Sequence, residues 1–276
     1  DGFPVRSLFS YGDDADALSP FLLLDYAGPH MFAPAERPRG VGRHPHRGFE
    51  TVTIVYDGEV AHRDSTGAGG TIGPGDVQWM TAGSGIIHQE MPKGDTTGSM
   101  HGFQLWANLP SSLKMCPPRY QDIEAAHIPE VVDDDGSRAR VICGEFWGRR
   151  GPVDGIAADP CYVDLRLPAG VRRSLSVPPS KNVFAYVFEG SGRFEKASPP
   201  MPAAAEYGGA TIPSSVADRS VVVFGAGEEI RVSAGEEGVR FLLVSGSPLR
   251  EPVAWHGPIV MNTEAELKQA FEEYRA

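Results

Sequence analysis

The stretch HPHRGFETVTIVYDG, residues 44–58, places two histidines one residue apart just before a run of β-branched and apolar residues. Thr, Val and Ile have restricted χ1 rotamers and pack well on a pleated surface, so residues 51–56 are predicted to form a β-strand. The Asp57-Gly58 step that follows is typical of a tight hairpin turn. A short strand bounded by a turn in this way indicates a mainly β fold.

Two pairs of candidate metal ligands share a strand geometry. Residues two apart on a strand project from the same face, so His44 and His46 aim at one point while Pro45 faces away. The stretch GSGIIHQEMP repeats this spacing with His88 and Glu90. Three imidazoles and one carboxylate suit a divalent transition metal such as Fe, Mn, Ni or Cu better than Ca²⁺ or Mg²⁺. The alternative interpretation is that these are inert, hydrogen-bonded polar residues near strand ends.

Strand signals recur along the chain as β-branched and aromatic runs between turn residues. They cover residues 76–81 and 102–109 in the first half, and residues 162–167, 182–188, 220–224 and 239–244 in the second half. The segment IVYDG at 54–58 is similar to YVFEG at 186–190, which indicates a duplicated β-barrel or sandwich unit.

Two domains are therefore expected. The N-terminal domain, residues 1–130, would bind the metal, and the C-terminal domain, residues 131–276, would not. A polar, acidic stretch at 132–137 marks the division between the two series of strands.

The last residues of the chain follow a helical period. Thr263 and Glu266 have the spacing of a capping box. Apolar residues then recur at helical intervals, namely Leu267, Ala270, Phe271 and Tyr274. An amphipathic helix over about 263–275 is expected to end the C-terminal domain and to pack onto its barrel.

The composition of the 276-residue chain limits its function classes. A hydrophobic content of 41% predicts a globular body, and 33 Gly and 24 Pro without a collagen period predict many turns. The net charge of −11 argues against direct nucleic-acid binding, which depends on clustered Lys and Arg. Three irregularly spaced cysteines argue against a disulfide framework or a thiolate metal site. Cysteines expected to be reduced and the absence of a long apolar run favour a cytoplasmic protein without a membrane partner. We also expect a monomer.

Five sequence blocks are distributed over almost the whole chain: FLLLDYAGP, HPHRGFETV, PGDVQWMTAGSGIIHQEMP, HGFQLWANLP and GPIVMNTEAELKQAF. They resemble the signature blocks of the pirin family, a branch of the cupins. The resemblance implies two antiparallel β-barrel domains of the cupin or jelly-roll type with a C-terminal α-helix. It also implies one mononuclear metal in the N-terminal barrel, with ligands on His44, His46, His88 and Glu90. The implied metal is Fe(II), with Mn, Ni, Cu and Zn as alternatives.

The resemblance further implies a reaction. Pirin-like proteins are associated with dioxygenolysis of flavonols such as quercetin, in which O₂ cleaves the ring and CO is released. The substrate hydroxyl would bind the metal, and Glu90 would act as the catalytic base. The rival interpretation is a non-enzymatic iron protein that senses redox state and regulates a transcription factor or a metabolic enzyme by protein–protein contact. We favour the enzyme.

Several nearby residues receive a structural interpretation. Glu50 occupies the carboxylate position of the general cupin spacing H-x-H-x-x-x-E but is assigned a supporting role, and His62 and His101 are interpreted as wall or surface histidines. Counting back from the second-half repeat places Ser176 and Pro178 where the first half has its two histidines. Neither side chain replaces an imidazole, so no metal is expected there. Apolar residues expected at the mouth of the site are Phe49, Trp79, Met80, Phe103 and Trp106.

Overall fold

The computed structural model describes residues 5–10, 15–32, 39–195, 201–202, 216–217 and 219–275. Antiparallel strands dominate these residues and a helix ends them, which confirms the predicted mainly β fold. They group into two compact units. The first draws on Phe21–Ala125 and Leu249–Ala276 with the start of the first strand, and the second on Leu8–Pro20 and Ala126–Pro248. None of the described helices is long and apolar enough to cross a membrane.

The first unit is built mainly from a six-stranded and a four-stranded sheet. Its strands in chain order are β1 (Arg6–Ser10), β2 (Phe21–Met31), β3 (Val41–His46), β4 (Phe49–Asp57), β5 (Glu59–Asp64), β6 (Gly69–Ile72), β7 (Val77–Thr81), β8 (Ile86–Lys93), β9 (Ser99–Asn108) and β10 (Arg119–Ile123). The strand orders are β1-β2-β9-β4-β7-β10 and β3-β8-β5-β6. Short 3₁₀ turns lie at Ser111–Leu113 and Ala125–His127.

The second unit contains the short helix α1 and a nine-stranded sheet. Its elements are α1 (Ala15–Leu18), β11 (Glu130–Val132), β12 (Arg138–Cys143), β13 (Glu145–Phe146), β14 (Arg149–Arg150), β15 (Cys161–Leu167), β16 (Arg172–Ser176), β17 (Asn182–Glu195), β18 (Met201–Pro202), β19 (Val216–Ala217), β20 (Ser220–Phe224) and β21 (Glu229–Gly246). The sheet runs β11-β12-β15-β21-β17-β20-β18, with β16 paired to β21 and β19 to β17. The hairpin β13-β14 lies outside it.

The C-terminal segment groups with the first unit, not with the second as the predicted boundary at 131–276 has it. It comprises β22 (Ala254–His256), β23 (Ile259–Met261) and α2 (Glu264–Arg275). The backbone N–H of Val260 donates to the Arg47 carbonyl at 3.0 Å. Buried Lys114 donates from Nζ to the carbonyls of Gly48 at 2.7 Å and Val260 at 3.0 Å. These contacts join residues far apart in sequence, so local sequence patterns do not reveal them.

Helix α2 begins with the predicted capping box. The Thr263 N–H donates to Glu266 Oε2 at 2.9 Å, and the Glu266 N–H donates to Thr263 Oγ1 at 3.2 Å. Leu267 and Ala270 are buried against the β22-β23 hairpin, with Phe271 partly buried beside them. Tyr274, also predicted on the apolar face, is 46% exposed because it lies in the last turn, beyond the hairpin contact.

The Asp57-Gly58 step is not a hairpin turn. It joins β4 in the six-stranded sheet to β5 in the four-stranded sheet, and these two strands are not hydrogen-bonded neighbours. Gly58 has φ of +78°, and a Cβ at this position would meet the Lys93 carbonyl oxygen at 2.5 Å. The same local signal thus produces a corner between sheets, because strand pairing elsewhere determines the path.

The acidic stretch at 132–137 is a turn within the second unit rather than a linker. It connects β11 to β12, which pair antiparallel, and the Asp133 N–H donates to the Ser137 carbonyl at 2.9 Å. The division between the compact units falls earlier, between Ala125 and Ala126.

Candidate metal centre

Three histidines of the first unit converge on one point. His44, His46 and His88 each place one ring nitrogen within 4.8 Å of the other two. Strand pairing produces this arrangement, since β3 and β8 run antiparallel with His44 directly opposite His88 and Pro45 opposite Ile87. The i, i+2 spacing then brings His46 to the same face.

Hydrogen bonding determines which nitrogen of His44 points to this centre. His44 Nδ1 donates to the Gly42 carbonyl at 2.8 Å, which leaves Nε2 with its lone pair. That Nε2 lies 3.0 Å from His46 Nε2. Both ring nitrogens of His88 are buried and have no hydrogen-bond partner in the described protein. A buried nitrogen without a partner is costly, and a metal ion would satisfy it.

Burial keeps the three imidazoles neutral. Desolvation lowers the pKa of His44 and of His46, the latter well below its usual value, and lowers the pKa of His88 to about 3. Mutual repulsion among the rings adds to the shifts for His46 and His88. A neutral imidazole is the form that binds a metal, so the residues present fit a divalent transition-metal ion.

Glu90 lies beside this cluster but is not one of the group whose ligand atoms converge among the described residues. It shares a strand face with His88, is 5% exposed and lines the same cavity as His44. Its Oε1 accepts a hydrogen bond from Gln104 Nε2 at 3.0 Å. Burial raises the pKa of Glu90 to about 7. Its role as a fourth ligand remains a prediction.

Gln104 connects Glu90 to an aromatic residue, a role that local sequence patterns did not predict. Gln104 Nε2 donates to Glu90 and, at 3.1 Å, to Thr53 Oγ1. Its Oε1 accepts from Trp106 Nε1 at 3.0 Å. The available signal was positional: Gln104 lies two residues before Trp106 on one strand, so both side chains share a face.

A cavity of about 220 Å³ opens beside the histidines, with walls from both sheets of the first unit. This volume lies near the lower end of the range of about 300–1,000 Å³ that is usual for small-molecule pockets, so the cavity has room for at most one small molecule. The lining side chains are largely apolar, among them Val55, Val60, Met100, Phe103 and Trp106.

Of the five apolar residues predicted at the mouth, Phe103 and Trp106 line the cavity. Phe49 contacts the His46 ring edge-on at a centroid distance of 5.1 Å. Trp79 and Met80 do not line the cavity; they are core residues, each at most 1% exposed.

The remaining candidates lie outside the histidine cluster. Glu50 is 2% exposed and its Oε1 accepts from Thr81 Oγ1 at 2.7 Å. It is an odd number of residues from Thr53, so it projects from the opposite face of β4. His62 is buried, with its ring stacked on Tyr120 at 5.3 Å, and His101 packs among aromatic rings.

The second unit has no comparable polar centre among its described residues. Its interior is an apolar cluster that includes Leu165, Val187 and Phe241. The positions that correspond to the two histidines, Ser176 and Pro178, are both exposed. The expectation of a metal-free second unit remains a prediction that this packing supports.

The chain is similar to known proteins over nearly all its length. Two family models match it, Pirin over residues 2–107 and the Pirin C-terminal cupin domain over residues 162–276. A Pseudomonas aeruginosa protein with a provisional quercetin 2,3-dioxygenase name is 45% identical over 99% of this chain and 91% of its own. A pirin-like protein from Caulobacter vibrioides is 41% identical over 100% of this chain and 93% of its own.

A solved structure has the same fold. The crystal structure of quercetin 2,3-dioxygenase from Acinetobacter baumannii superimposes on this chain with a TM-score of 0.88, and the two sequences are 42% identical. The match covers 100% of this chain and 91% of that chain. The predicted cupin architecture is thereby confirmed.

Proposed function

The chain belongs to the pirin family, and from that premise we propose that it is a metal-dependent dioxygenase that cleaves flavonols such as quercetin. The observation that carries the proposal is the convergence of His44, His46 and His88 beside a largely apolar cavity. Two relatives above 40% identity over nearly the whole chain have names with this reaction, which supports the proposal.

The three histidines would hold one metal ion, with Glu90 as the proposed fourth ligand. We propose Fe(II), with Mn, Ni, Cu and Zn as alternatives. When bound there, the ion would supply Lewis-acid chemistry for an ionised substrate hydroxyl and redox chemistry with O₂. Three neutral imidazoles and one carboxylate leave this centre with net positive charge, which favours an enolate oxygen over a neutral one.

The protein's own groups position the substrate and accept its proton. Gln104 donates to Glu90 Oε1 and so leaves Oε2 to take the proton of the flavonol's enolic hydroxyl. Val55, Met100 and Phe103 surround the substrate with hydrocarbon and exclude water from the reacting carbon atoms.

Oxygen consumption tests the proposal directly. Protein loaded anaerobically with Fe(II) is mixed with quercetin and O₂, and the consumption of both and the release of CO are followed. We expect O₂ and flavonol to disappear in equal amounts. If metal-replete protein consumes no O₂ with any flavonol, the enzyme assignment is wrong and the redox-sensing regulatory protein becomes the better interpretation.

Glu90→Gln tests the proposed base. Glutamine has a similar size but cannot accept the proton, and a positioned base contributes about 10²- to 10⁴-fold in rate, so kcat should fall in that range. Glu50→Gln is the matched control, since Glu50 is a buried carboxyl on the opposite strand face and its loss should leave kcat unchanged. Metal content is measured for both variants. Wild-type kcat in metal-replete Glu90→Gln would rule out Glu90 as the base.

A further inference from the structure

One carboxylate in the cavity wall is unused by the proposed chemistry. Asp25 lies on β2 and lines the cavity, as does Ala27 on the same strand face. In the β2-β9 register Asp25 is directly opposite Gln104, and Ala27 is opposite Gly102. Both of those β9 residues also line the cavity, so the register places Asp25 on the ligand-facing side of the sheet.

Asp25 has few partners for a half-buried carboxylate. Its Oδ1 accepts from Ser7 Oγ at 2.6 Å. Within the described residues no other hydrogen bond and no Lys or Arg ion pair reaches it. Burial raises the pKa of Asp25, and the Ser7 hydroxyl partly offsets this rise. The second carboxylate oxygen, Oδ2, therefore has no donor from the described protein and can accept one from a ligand in the cavity that Asp25 lines.

The position of Asp25 relative to Glu90 indicates which part of a ligand it meets. Residues directly opposite across an antiparallel pair have Cβ atoms about 4.5–5.5 Å apart, so Asp25 adjoins Gln104. Gln104 in turn contacts Glu90 at 3.0 Å. One small molecule with a hydroxyl at Glu90 therefore has its remaining substituents within reach of Asp25. A ligand anion at this point would be repelled, whereas a neutral hydroxyl would donate.

We propose that Asp25 determines specificity by accepting a hydrogen bond from a second hydroxyl group of a polyhydroxylated aromatic substrate, away from the hydroxyl that reacts. The inference rests on the proposed function, because it takes the reacting hydroxyl to lie at Glu90. Asp25 thereby favours flavonols that carry this second hydroxyl over otherwise identical flavonols that lack it.

Binding without turnover tests the assignment. Metal-replete protein is kept free of O₂, and dissociation constants are measured for three flavonols that all keep the reacting 3-hydroxyl: quercetin, its analogue without B-ring hydroxyls and its analogue without A-ring hydroxyls. A hydrogen bond to a charged group corresponds to about 10- to 100-fold in affinity. Wild type should bind quercetin more tightly by that factor than one of the two analogues. Asp25→Leu should weaken the binding of quercetin by the same factor and leave the binding of that analogue unchanged.

Two further variants make the result specific. Asp25→Asn keeps the shape and should lose part of the discrimination, whereas Glu59→Gln removes an exposed carboxylate of the same unit and should lose none. Metal content and melting temperature show whether Asp25→Leu is folded, and Asp25→Asn serves in its place if it is not. Equal weakening of all three flavonols, or of none, overturns the assignment.

The outcomes separate this inference from the proposed function. If wild type binds flavonols with this discrimination but consumes no O₂, the dioxygenase assignment fails and the role of Asp25 stands. If O₂ is consumed while the affinity ratios are the same in Asp25→Leu, only Asp25 is wrong. If wild type binds none of the three, both are overturned.

Discussion

The interiors of the two units differ in polarity although both are built from antiparallel strands. In the first unit His46, Thr53, His88 and Glu90 are buried inside the strands that surround the cavity. In the second unit the corresponding space is filled by an apolar cluster of Val, Leu, Ile, Ala and Phe. The fold therefore does not itself determine a metal site, and inward-facing side chains decide whether the interior is a site or a core.

A shared backbone feature makes this comparison meaningful. Gly58 in the first unit and Gly190 in the second have φ of +78° and +67° at the matching Asp-Gly and Glu-Gly steps. At both positions a Cβ would meet a carbonyl oxygen, of Lys93 at 2.5 Å and of Gly238 at 2.2 Å. Both glycines thus have a left-handed backbone conformation that a side chain would disturb, while only the first unit has imidazoles ahead of this glycine.

The largest expected effect is the loss of the metal from the first unit. His88→Ala removes one of three converging imidazoles. Loss of a residue that only supports a metal ligand typically lowers metal affinity by about 10- to 100-fold. Loss of a ligand itself should therefore lower the metal affinity by more than about 100-fold. Wild type should bind one transition-metal ion per chain, measured by elemental analysis after dialysis, and His88→Ala none. His101→Ala, a histidine outside the cluster, is the control and should retain the ion.

The same measurement tests the second unit. Two ions per wild-type chain would show a site that the apolar packing of the second unit does not predict. One ion retained in His88→Ala would show that binding does not depend on the three converging histidines. Either result would break the contrast between the two interiors.

How far the sequence predicted the molecule depends on the range of the interactions. The strands and the His44–His46 and His88–Glu90 spacings follow from alternation over a few residues, and their faces were predicted correctly. The Asp57-Gly58 corner was predicted wrongly because a hairpin and a corner have the same local signal. Only the distant pairing of β4 with β7 and β9 distinguishes them.

Side-chain networks were missed for a related reason. Gln104 and Asp25 are ordinary polar residues in sequence, and their importance comes from the register of β2 against β9 and from contact with the opposite sheet. Lys114 was likewise unremarked, although it is 2% exposed and donates to backbone on both Gly48 and Val260. The contacts of Lys114 join residues 66 and 146 positions apart, beyond any local periodicity.

An intermediate effect is expected at Gln104, which exists only in the polar interior. Gln104→Leu keeps a similar volume but removes the hydrogen bond to Glu90 and leaves Trp106 Nε1 without its acceptor. If Glu90 is a ligand, loss of this supporting contact should weaken metal affinity by about 10- to 100-fold. Competition with a chelator measures the change.

Gln78→Leu is the matched control for Gln104→Leu, because Gln78 is a buried amide on β7 that donates to Asp122 and not to Glu90. It should leave the metal affinity near the wild-type value. Equal affinity in both variants would mean that Gln104 does not orient a ligand.

The smallest effect concerns which unit the C-terminal helix stabilises. Thr263→Ala removes the hydroxyl that accepts from the Glu266 N–H at 3.2 Å, and loss of such a cap typically costs about 1 kcal/mol. Since α2 packs on β22-β23, whose Val260 is tied to Arg47, hydrogen-exchange protection should fall in these elements and stay unchanged in β15 and β21. Ser174→Ala, an exposed hydroxyl on β16, should change neither. Loss of a helix cap lowers the stability of the strands that the helix packs against. If protection is lost in β15 and β21 instead, the helix stabilises the second unit, as the predicted 131–276 boundary has it.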